Sequence, residues 1–83
     1  MRILDLNRSA SLDNVILCLK KDEAIELLGL LEDLLKRPFN EAIRTHHHVN
    51  DAEYQHEITV TMYDEQDLSI FDERSKRLIV EDK

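Results

Sequence analysis

The sequence predicts an α+β domain with the element order β-β-α-β-β, a mostly antiparallel four-stranded sheet with one long helix on one face and a short C-terminal element. Three observations carry this. Leucines recur at helical spacing between Lys21 and Lys36, residues 58 to 63 alternate with a period of two, and Val15 to Leu19 is apolar without interruption.

Residues Arg2 to Leu6 are short and apolar-rich and suit a first strand. From Asn7 to Asn14 the chain carries Ser9, Ser11, Asp13 and Asn14, whose side chains compete with regular structure through local hydrogen bonds, so a turn is expected. Val15-Ile16-Leu17-Cys18-Leu19 then reads as a central strand, apolar on both faces.

The helix over Lys21 to Lys36 is the clearest element. Ala24, Leu27, Leu28, Leu31, Leu34 and Leu35 line one side, with Glu26, Asp33 and Lys36 opposite. Leu31 is expected against the sheet. Asp22 and Glu23 in the first turn and Lys36 at the end complement the helix dipole, and Pro38 stops the helix. Gly29 lies inside it at a cost of about 1 kcal/mol relative to alanine, which close packing against a neighbour would explain.

Phe39 to Arg44 leads into an antiparallel pair, Thr45 to Val49 and His56 to Tyr63, with Asn50 to Gln55 as the connection. A shorter helix is expected from near Asp72 with Leu78 and Ile79 inward, although Leu78-Ile79-Val80 also fits an edge strand.

The chain of 83 residues is read as one domain, 1–83; at this size folding buries only a little over roughly 60% of the unfolded surface. Apolar residues at 42% suit a globular core, and the 35% of charged residues mix both signs, unlike a disordered chain. The net charge of −7 argues against nucleic-acid binding, which needs clustered Lys and Arg, and against anionic membrane surfaces. It is compatible with a basic protein partner. One cysteine, Cys18, permits no internal disulfide; with no signal-peptide pattern and no apolar run near the roughly 20 residues of a span, a cytoplasmic setting is expected.

Catalytic signatures that need glycine are excluded by a single glycine. Cys18 reads as a small hydrophobe within an apolar strand. The unusual feature is His46-His47-His48 with His56 following. Strand alternation puts Val49 with Ile58 on the core face and His46, His48 and Glu57 on the outer face. Two imidazoles and a carboxylate could hold a divalent metal or serve as acid and base. The same face is also what any half-exposed hairpin shows, and the sequence identifies no hydrogen-bond partner that would hold the imidazoles in place. Apart from that metal, no cofactor is implied.

The expected function is a non-enzymatic protein-interaction module, acting as a homodimer or with a protein partner. One long helix covers one sheet face and leaves an apolar patch at Ile16 and Cys18 as the interface. A His-based or metal-dependent enzyme using His46, His48 and Glu57 is the rival. An acidic inhibitor or antitoxin-like protein that blocks a basic partner is a third reading.

Overall fold

A computed structural model describes residues 1–82. The class is α+β, with antiparallel strands and a long helix, and the elements run β1 (Leu4–Asp5), β2 (Ala10–Ser11), α1 (Lys21–Lys36), α2 (Phe39–Ala42), β3 (His47–Asn50), β4 (Glu57–Val60) and α3 (Glu73–Glu81). Contacts divide the chain into two compact units: Met1–Leu17 with the chain from Gln66 onward, and Cys18–Glu65.

In the first unit, Asp5 Oδ1 accepts from the backbone N–H of Asn7 (3.0 Å) and Arg8 (3.1 Å), and Ser9 takes a left-handed conformation with φ 53°. This local turn reverses the chain within four residues, so β1 pairs at once with β2, Leu4 opposite Ser11 and Asp5 opposite Ala10. α3 packs on this ribbon. Asp72 caps it by accepting from the Ser75 N–H at 2.7 Å, and Leu78 and Ile79 are buried. Arg2 Nε donates to the Ile79 carbonyl at 2.7 Å, satisfying one of the orphan acceptors at the helix end.

The second unit is built on α1. The Lys20 N–H donates to Glu23 Oε1 at 2.8 Å, half of a capping box, and a lysine side chain has no acceptor with which to complete it. Pro38 ends the helix and opens the single turn of α2, whose Ala42 is buried together with Ile43. β3 and β4 pair antiparallel, His47 opposite Val60, His48 opposite Thr59, Val49 opposite Ile58 and Asn50 opposite Glu57. Asp51 organises their connection by accepting from the N–H groups of Gln55 (2.8 Å) and His56 (3.3 Å). Desolvation raises the Asp51 pKa, but the bonds from His56 and Gln55 outweigh it and hold the carboxyl below its ordinary value.

Two expectations are corrected. The four strands form two separate two-stranded sheets, β1-β2 and β3-β4, in place of one four-stranded sheet. The reason is local: the Asp5 turn gives β1 its partner in Ala10–Ser11. Val15 to Leu19 is accordingly no central strand. Among the described residues it has no ladder partner and no regular structure, and Ile16 is 86% exposed. An unbroken apolar run reads as a buried strand only where a sheet exists to receive it. Leu31 is the other correction, since it is 43% exposed. The sheltered line of α1 is Leu27, Leu30 and Leu34, and Leu34 is 2% exposed. A Cβ added at Gly29 would meet nothing within 4 Å, so no close approach within the chain accounts for that glycine.

Candidate functional site

The β3-β4 ribbon has two chemically different faces. His47, Val49, Ile58 and Val60 are sheltered, while His48, Asn50, Glu57 and Thr59 are exposed. On the sheltered side His47 Nε2 lies 2.6 Å from Asp33 Oδ2, and Arg37 Nε donates to the same oxygen at 2.8 Å. Asp33 thus ties α1 to β3. The bonds from Arg37 first and His47 second hold its carboxyl below the ordinary value of 3.8.

On the exposed side His48 Nδ1 lies 2.7 Å from Glu57 Oε1 and 3.0 Å from Thr59 Oγ1. The hydrogen bond at Nδ1 is with the Thr59 hydroxyl, and the Glu57 carboxylate lies at ion-pair distance from the same nitrogen. Nδ1 thus faces Thr59 and Glu57, and Nε2 is the nitrogen turned away from them. His46 lies just before β3 and is exposed, with interactions of its own. Of the trio read from the sequence, the structure joins His48 to Glu57. Among the described residues no group of three His, Cys, Asp or Glu side chains is arranged to hold a metal. His56 is exposed at the loop end of the ribbon.

Sequence reasoning missed the Asp33–Arg37–His47 cluster. The i, i+4 spacing of Asp33 and Arg37 was a visible signal; the approach of His47 from a strand 14 residues away was not.

The largest feature is apolar. α1 leaves Ile25 60%, Leu28 57%, Leu31 43% and Leu35 76% exposed, and Phe39 beyond its end is half exposed. The cause is the width of the apolar arc: Leu27, Leu30 and Leu34 on one side of it are sheltered, and this stripe runs beside them over the same turns of the helix. Ile16 and Cys18, expected at an interface, are both exposed, but in a segment without regular structure.

No helix among the described residues is long and apolar enough to cross a membrane. No family model matches the chain, and no curated protein or solved structure proved similar to it.

Proposed function

We propose that this protein is a non-enzymatic interaction module that works by presenting apolar surface, as a homodimer or to a protein partner. The observation that carries the reading is the uncovered side of α1, where Ile25, Leu28, Leu31 and Leu35 stand in water. Scattered apolar side chains are ordinary on a surface, whereas a contiguous stripe on one rigid helix marks an interaction site. The net charge of −7 makes a basic partner compatible with the rest of the surface and disfavours nucleic acid and anionic membranes. The test combines mass in solution with capture from host lysate, using wild type and Leu31→Glu as baits. A mass of one chain, with nothing retained by wild type that Leu31→Glu does not also retain, overturns the proposal.

A second reading is favoured by one contact, the 2.7 Å pair of His48 and Glu57. A carboxylate beside an imidazole on an open face is the arrangement of a general base. Hydrolysis of an activated aryl ester faster than by free imidazole, and lost in His48→Gln, supports it. A rate no greater than that of free imidazole removes it.

A further inference from the structure

We infer that α1 is the interface of a two-fold symmetric homodimer, in which two copies of the helix pack antiparallel through Ala24, Leu28, Leu31 and Leu35. This rests on the interaction-module reading and supplies its occupant. The positions follow the alternating steps of four and three residues that define a coiled-coil seam. At 100° per residue they form a stripe beside the Leu27, Leu30 and Leu34 line that the ribbon shelters, so one helix serves both surfaces.

The spacing also selects the orientation. Steps of four, three and four read the same in both directions. An antiparallel two-fold therefore sets Leu28 against Leu31 of the second copy, and Ala24 against Leu35 of the second copy. A small side chain meets a large one at each end, as interdigitated packing requires. A parallel pair would set Ala24 against Ala24 and leave a void there.

Charge points the same way. An antiparallel pair opposes the two helix dipoles. Lys20 to Arg37 carries four cations against five carboxylates, one charge from neutral in a chain of net −7. Two like-charged copies meet where their repulsion is least.

The area is sufficient. Ile25, Leu28, Leu31 and Leu35 each expose apolar surface on the order of 100 Å², and with Ala24 the stripe makes a patch approaching about 500 Å². That lies at the upper end of what monomers leave in water, and two copies bury about 1,000 Å², the lower bound for a specific interface.

The test is light scattering coupled to size exclusion at tens of micromolar for wild type, Leu28→Glu and Ile16→Glu. It is joined by oxidative cross-linking in a Cys18→Ser background. The expected results are twice 9.8 kDa for wild type and Ile16→Glu, and 9.8 kDa for Leu28→Glu with its helical circular dichroism retained. The double variant Ala24→Cys, Leu35→Cys should cross-link between chains while neither single variant does. A wild-type dimer that survives Leu28→Glu but not Ile16→Glu overturns the inference and leaves the interaction reading standing. Cross-linking of Ala24→Cys alone overturns the antiparallel arrangement. A wild-type mass of one chain overturns the homodimer, and the capture experiment then decides the interaction reading alone.

Discussion

The two units of this protein are variations on one construction, a helix laid on a two-stranded antiparallel ribbon, and they differ in how much of the helix the ribbon uses. α3 has nine residues, buries Leu78 and Ile79 and leaves Val80 as its one large exposed hydrophobe. α1 has sixteen, buries Leu34 and leaves four large apolar side chains exposed. The short helix carries a single apolar stripe, matched to its ribbon. The long one carries two adjacent stripes, and the chain provides a ribbon for one. A second stripe on a helix whose first is already occupied has no role within the unit, which is why the interaction reading is placed there.

The largest effect that can break this comparison is the contrast between Leu34 and Leu31. Leu34→Ala should cost about 2–5 kcal/mol of unfolding free energy, because it leaves a cavity under the ribbon. Leu31→Ala, measured at protein concentrations low enough to keep the chain monomeric, should cost less than about 1 kcal/mol. Chemical denaturation of both variants checks this, and equal losses would mean that the two stripes are not distinct.

The next contrast is between the helix starts. Asp72 caps α3 with its side chain, whereas Lys20 offers α1 no acceptor. Asp72→Ala should therefore lose roughly 1 kcal/mol. Lys20→Ser should gain stability by a similar mechanism. Thermal melts read both, and a neutral Asp72→Ala would remove the cap from the account.

The smallest effect is electrostatic and belongs to the α1 ribbon. Arg37 and then His47 lower the Asp33 pKa in the folded state. A lowered folded value means the contribution is present above the unfolded value, near 3.8, and is lost as pH falls through the folded value. Acid titration of wild type against Asp33→Asn should show the two stability curves converge below that point. Asp33 is partly in water, so the separation above it should be modest.

Much of this was legible in the sequence where the signal is local. The bounds of α1 follow from leucine spacing and Pro38, and a start for α3 from Asp72, while Leu78-Ile79-Val80 fitted an edge strand as well as the helix observed. The pairing of His48 with Glu57 on one face follows from alternation once β3 and β4 are placed. What was not legible depends on the choice of partner. Val15 to Leu19 has the composition of a central strand, but composition does not reveal that β1 is already paired through the Asp5 turn. The apolar arc of α1 is wide enough to hold two stripes, and its sequence does not say that the ribbon takes Leu27, Leu30 and Leu34 in preference to Leu31. That choice is made by contacts such as Asp33 with His47, which join distant segments.

The central claim, that α1 has one stripe for its own ribbon and one for a second copy, is tested most directly by the denaturation midpoint across a hundredfold range of protein concentration. Association that stabilises only the folded chain makes the midpoint depend on concentration. The account predicts a midpoint that rises with concentration in wild type and is flat in Leu28→Glu. A wild-type midpoint that stays constant across the range would contradict it.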